Sequence, residues 1–136
     1  MPIGKRRGGR ELAFQLIFQA DVGDIPLDEV ISIHKASSEA QPQVWAFAEE
    51  LANGAWTHLE DSDAIISKYS QGWSVERMPN VDRNILRIAL YEIFHMEDIP
   101  VNVSVNEAVE LAKEYSTVDS ARFINGVLGN VVRKEL

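Results

Sequence analysis

The stretch Val101-Asn102-Val103-Ser104-Val105-Asn106-Glu107-Ala108-Val109-Glu110-Leu111-Ala112-Lys113 decides the fold. Its first half reads in two ways. Val101, Val103 and Val105 alternate with polar residues, as in a half-buried strand. Ser104-Val105-Asn106-Glu107 instead matches a capping box, in which Ser and Glu satisfy free backbone N–H groups at a helix start. The second half favours the box. Val105, Ala108, Val109, Leu111, Ala112 and Tyr115 face one way at helical spacing, and Glu107, Glu110, Lys113 and Glu114 face the other. The expectation is a helix capped at Ser104, and no other segment reads convincingly as a strand.

Both neighbours of this stretch are helical. Upstream, Ile99-Pro100 ends a helix that runs from Val81 to near Met96, because proline disfavours helical geometry in the residue before it. Ile85, Leu86, Ala89, Leu90 and Ile93 form its core face, while Asn80, Arg83, Arg87, Tyr91 and His95 share another stripe. An exposed Tyr-Arg stripe has the composition of a protein interface; the alternative is a solvated helix face. Downstream, a last helix spans Ser120 to Lys134 and buries Ala121, Ile124, Val127, Leu128, Val131 and Val132. Its opposite face carries Arg122, Gly126, Gly129 and Arg133, flanked by Phe123 and Asn125. Each mid-helix glycine costs about 1 kcal/mol relative to alanine, so both need a reason. Close helix packing is one. A flat basic face for a nucleic-acid backbone, with Phe123 free to stack on a base, is the other.

The first half of the chain follows the same period. Leu12 to Ala20 is apolar around most of its girth, as in a central helix. A short helix carries Leu27, Val30, Ile31 and Ile33. A third begins at Pro42, which suits a first turn. A fourth holds Ile65, Ile66 and Tyr69, with Asp61 or Ser62 as its cap. Gln71-Gly72-Trp73-Ser74 and Met78-Pro79-Asn80 break the pattern. About seven helices in 136 residues imply one all-α domain of two stacked three-helix bundles, residues 1–72 and 73–136.

The net charge is −8, unevenly placed: residues 1–10 hold +4, residues 11–115 hold −13, and residues 116–136 hold +1. Phosphate attraction is screened within about 8–10 Å at physiological salt, so this balance excludes indiscriminate polyanion binding but not a small basic site. Lys5-Arg6-Arg7-Gly8-Gly9-Arg10 is either a solvated terminus or an arm gripping phosphates. With no cysteine there is no disulfide framework and no thiol nucleophile. His34, His58 and His95 lie in different helices, so neither a metal nor a cofactor is expected. No residues assemble a nucleophile, a base and an orienting group, which argues against an enzyme. No targeting segment or membrane span is apparent, and a cytoplasmic location is expected.

Arg6-Arg7-Gly8-Gly9-Arg10-Glu11-Leu12-Ala13, Trp73, Val81-Asp82-Arg83-Asn84-Ile85-Leu86-Arg87-Ile88-Ala89-Leu90-Tyr91-Glu92, Val105-Asn106-Glu107-Ala108-Val109-Glu110-Leu111-Ala112-Lys113 and Phe123-Ile124-Asn125-Gly126-Val127-Leu128 occur in this order. Together they resemble the NusB family of bacterial transcription antitermination factors. The likeness covers essentially the whole chain and is strongest from residue 73 onward.

The resemblance implies binding to single-stranded boxA-type RNA of ribosomal RNA operon leaders. The ribosomal protein NusE would bind jointly, and the complex would let RNA polymerase read through terminators. By position, Lys5, Arg6, Arg7 and Arg10 in the basic start would contact RNA, as would Tyr115, Asp119, Arg122 and Phe123. Asp119 has an alternative role, capping the last helix near Ser120. Asp82 matches an acidic position facing NusE, and Arg83, Arg87 and Tyr91 join it as expected partner contacts. The family's opening usually reads Arg-x-x-Ala-Arg. Gly8-Gly9 depart from it and suggest an arm that orders only on RNA. Monomer and homodimer both stay open; a dimer could hide the arginine surface. Two alternatives stand beside this reading: the RNA-binding half of a ribosomal RNA cytosine methyltransferase, and a purely protein-binding helical scaffold.

Overall fold

The computed structural model describes residues 3–136. In chain order they form α1 (Ile3–Gly23), α2 (Leu27–Ser37), α3 (Pro42–Thr57), α4 (Leu59–Tyr69), a 3-10 turn (Val75–Arg77), α5 (Asn80–His95), α6 (Val101–Tyr115) and α7 (Val118–Glu135). The described residues contain seven α-helices and no strand, as expected.

Three expected helix starts are corrected. α6 begins at Val101, directly after Pro100, whose fixed φ of −59° leads the chain into the helix. Ser104 therefore lies inside the helix and is buried, and its Oγ donates to Glu92 Oε1 at 3.1 Å. Glu107 is buried too, not on the outer face. α4 leaves α3 through His58 alone, so neither Asp61 nor Ser62 caps it, and Ser62 is buried. α7 is capped by Thr117, whose Oγ1 accepts from the Ser120 N–H at 3.0 Å; Asp119 lies two residues further on, inside the first turn.

The glycines of the basic start do not free it from the fold. Gly8 and Gly9 are helical within α1, so the expected disordered arm is not what the chain forms. Gly9 lies against Phe47 of α3, where a Cβ would come within 2.6 Å of Phe47 Cδ2. Only glycine lets the two helices come this close.

Two hydrophobic cores sit side by side. Ala13, Leu16 and Ile17 of α1, Leu27 and Val30 of α2, and Trp45, Ala48 and Leu51 of α3 build the first, closed by Ile88 of α5, Met96 and Ile99. Ile85, Leu86 and Ala89 of α5, Leu111 of α6, and Ile124 and Leu128 of α7 build the second, joined by Phe14 of α1 and Ile66 and Tyr69 of α4. The cores do not part at residue 72. α1 and α4 reach into the second, and α5 reaches into the first.

Candidate nucleic-acid interface

Polar contacts between α1, α5 and α6 determine which arginines of the basic start reach the surface. Arg10 is 2 % exposed. Its Nε and Nη2 donate to Glu92 at 2.9 and 2.8 Å, and its Nη1 donates to Glu107 at 3.4 Å. A guanidinium held this way cannot also grip a phosphate, so the expected RNA contact at Arg10 is corrected to an interior ion pair. Arg7 forks onto Glu107 at 3.0–3.2 Å, yet more than half of its side chain stays exposed. Hydrogen bonding and charge from Glu107 hold the Arg7 guanidinium above its ordinary value. Arg6 sits 3.5 Å from Asp98, and Lys5 donates to Gln43 at 3.1 Å.

Arg7 opens onto a groove of about 690 Å³ between α1, α6 and α7. Lys113, Arg122, Asn106, Asn125 and Val118 line it, with Glu107 and Glu110 on its acidic side. Arg122 is 3.7 Å from Asp119 with both side chains largely exposed, a pair worth little in water. Gly126 and Gly129 follow Arg122 along α7. A Cβ at Gly126 would meet nothing within 4 Å, and one at Gly129 only the flexible Arg133 Nη1 at 3.3 Å. Close helix packing therefore does not explain these glycines.

The remaining expected RNA residues lie elsewhere. Tyr115 accepts from Gln15 Nε2 at 3.0 Å and packs on Phe14, with ring centres 5.1 Å apart. Together with Phe18, Gln19 and Val81, these residues line an apolar groove of about 320 Å³. Asp119 and Phe123 line a third cavity, of about 280 Å³, with Trp73, Met78, Pro79 and Ser120. Asp82 lines the same cavity, so a residue expected on the protein-partner side shares a pocket with two expected on the RNA side. Asp82 is buried, and its Oδ1 has no hydrogen-bond partner among the described residues. Burial pushes its carboxyl up, and the Ser120 and Ser116 hydroxyls pull it partly back.

The expected partner stripe on α5 is corrected as well. Arg83 donates to Asp21 of α1 at 2.7 and 2.9 Å. Arg87 is 5 % exposed and donates to Asp63 of α4 at 2.9 and 2.8 Å and to Asp21 at 3.2 Å. Burial alone would raise the Asp21 carboxyl. Hydrogen bonds from Arg83 and Asn84, with the charges of Arg87 and Arg83, hold it below its ordinary value. The Tyr91 ring packs directly over Gly54 of α3, and its centre is 5.3 Å from that of His95. This stripe is a seam between helices, not a free face.

A signal for these pairs exists in the sequence. Arg10 and Asp21 fall on the same helical stripe as Ala13, Phe14, Ile17 and Ala20; Glu92 falls in register with Ile85, Ile88 and Ala89; Glu107 falls with Ala108 and Leu111. A charge at a core position requires a buried partner, and here the opposite charges come from facing helices. Among the described residues, no three His, Asp or Glu side chains could hold a metal ion. Among the described residues, no helix is long and apolar enough to cross a membrane.

Residues 7–133 match the NusB family. The chain is 49 % identical to the transcription antitermination protein NusB of Symbiobacterium thermophilum, over 94 % of this chain and 89 % of that protein. It is similar in structure to T. maritima NusB, with a TM-score of 0.86 and 33 % identity, covering 98 % of this chain and 92 % of that one. It is also similar to a chain in the crystal structure of the antitermination factors NusB and NusE in complex with double-stranded RNA. That match has a TM-score of 0.80 and 26 % identity, covering 97 % of this chain and 98 % of the other.

Proposed function

The chain belongs to the NusB family and is a transcription antitermination factor, not an enzyme; from that premise we propose that it binds single-stranded boxA-type RNA jointly with NusE, so that RNA polymerase passes terminators. The groove between α1, α6 and α7 carries this reading. It brings Arg7, Lys113 and Arg122 together from three helices, in a chain whose net charge is strongly acidic. Arginine grips phosphate bidentately, and Asn106 and Asn125 add neutral donors beside it. Lys5 and Arg6, which meet Gln43 and Asp98 outside the groove, are proposed as further RNA contacts.

The apolar groove around Phe18, Val81 and Tyr115 is our candidate seat for the protein partner. Its lining is poor in charge, unlike the basic groove, and Val81 adjoins Asp82. A protein contact there would flank the RNA contacts of α6 and α7. The site of action is the bacterial cytoplasm, where nascent ribosomal RNA is made.

The test is a titration of boxA-type RNA with and without NusE, repeated with Arg7→Ala and Arg122→Ala. NusE should tighten binding, and both substitutions should weaken it. Retention of no RNA at moderate salt, with NusE still bound, would leave the protein-binding scaffold as the reading.

A further inference from the structure

We infer that Glu107 masks the basic groove in the free protein: it holds Arg7 in a fork that an incoming phosphate must break, and Arg10 keeps the carboxylate paired once Arg7 has left. This rests on the RNA-binding reading above and adds to it a residue that sets how much charge a ligand must bring.

Glu107 is shared by two arginines one turn apart on α1. Arg7 donates from Nε to both carboxylate oxygens at 3.2 Å and from Nη2 to Oε2 at 3.0 Å. Arg10 donates only from Nη1 to Oε1, at 3.4 Å. The two differ in their freedom to move. Arg10 is closed in, and Glu92 takes its Nε and Nη2. The Arg7 side chain is 55 % exposed, against 9 % for that of Glu107. Arg7 alone can turn out to a ligand. It stands between two hollows: the basic groove, and a small acidic one lined by Glu11, Glu110 and Glu114.

Every cation of the groove has an acid beside it in the free protein. Lys113 is 3.4 Å from Glu110 and Arg122 is 3.7 Å from Asp119, both pairs open to water. A phosphate displaces such exposed acids at little cost. Glu107 differs because it is buried and cannot turn to water when its partner leaves. Its release needs a second cation already in place, and Arg10 is that cation. A phosphate then returns bidentate, charge-assisted bonds to Arg7. A strand that also reaches Lys113 and Arg122 brings enough contacts to break the fork; an anion that meets Arg7 alone does not.

The test uses the full chain with a boxA-type RNA oligonucleotide and NusE, in a double-mutant cycle. Glu107→Gln keeps an acceptor for both arginines but loses the charge. It should tighten RNA binding by about three- to tenfold, as expected where the free arginine is populated in roughly a third to a tenth of molecules. The gain should vanish in the Arg7→Ala background. Glu110→Gln, which removes a groove acid that makes no hydrogen bond to Arg7, should shift affinity alike in both backgrounds. An absent gain, or the same gain without Arg7, would overturn the mask. Weaker binding by a Glu107→Gln protein that melts like the wild type would make Glu107 a positioning residue for Arg7 and overturn it too. A second measurement needs no substitution. On saturation with RNA, the Arg7 Nε–H resonance of the wild type should shift while that of Arg10 stays in place; an unmoved Arg7 signal in an RNA-bound protein counts against the inference whatever the variants do. If the wild type binds no RNA with NusE present, the RNA-binding reading itself fails.

Discussion

Arg10 and Glu92 form an ion pair that is almost sealed from water, at 2.8 Å, with side chains 3 % and 1 % exposed. It joins α1 to α5 beneath the basic groove. Removing one partner of such a pair leaves a bare charge in the interior, at a cost of about 3–5 kcal/mol. Arg10→Ala should therefore show its main effect in urea denaturation, with RNA affinity changing only as the fold weakens. Replacing both partners, Arg10→Met with Glu92→Leu, should recover much of the loss. A midpoint for Arg10→Ala close to that of the wild type would contradict this assignment.

Arg7 and Arg122 should behave in the opposite way. Both side chains are more than half exposed. The Arg122 pair is open to water, so Arg122→Ala should shift stability by no more than about 1 kcal/mol; Arg7→Ala leaves the buried Glu107 carboxylate to Arg10 and should cost more than that, though less than Arg10→Ala. Each should lower the slope of log affinity against log salt by up to about one. Unchanged slopes in both variants would place the phosphate contacts elsewhere.

The glycines separate into two classes that alanine can tell apart. Gly54→Ala would push a methyl group into the Tyr91 ring and should cost about 1–3 kcal/mol through overpacking. Gly126→Ala meets nothing and should stabilise α7 by up to about 1 kcal/mol through helix propensity. If Gly126 serves a closely approaching RNA backbone, the same variant should bind RNA more weakly while melting higher. Thermal melts with RNA titrations on both variants provide the check.

Asp82 offers a test in pH. Burial raises its folded-state pKa, so between the unfolded and folded values the native state binds more protons than the unfolded one. Native stability then falls as pH rises through that window, and the cost is fully present at pH 7. Asp82→Asn removes it and should be the more stable protein at neutral pH, with the advantage shrinking as pH falls towards the ordinary aspartate range. Asp21 runs the other way: its depressed pKa contributes stability above the unfolded value and loses it as pH falls through the folded one. Denaturation of Asp21→Asn should accordingly show a deficit at pH 7 that narrows in acid. A wild-type-like profile for either variant would exclude that residue as a source of the pH dependence.

Helical periodicity was enough to read the class of the fold, because apolar side chains at steps of three and four can face only one way. The same rule misled where charge occupied the core stripe. Glu107 was placed on the outer face by its type, although its register with Leu111 points inward. Arg83 and Arg87 read as a free surface because their partners, Asp21 and Asp63, lie 62 and 24 residues away. Such contacts depend on which helices meet, and local spacing does not carry that information. Gly126 and Gly129 could be flagged by propensity, but their open surroundings appear only in three dimensions. Trp73 was legible as part of a family resemblance; its place opposite Phe123 was not.

Helix α5 gives Ile88 to one core and Ile85, Leu86 and Ala89 to the other. Neither half of the chain is therefore an autonomous folding unit. Cutting at residue 72 would strand Ile88 with the wrong fragment and expose Phe14, Ile66 and Tyr69 on the other. The intact molecule should melt in a single transition by calorimetry, and neither fragment expressed alone should keep a cooperative one.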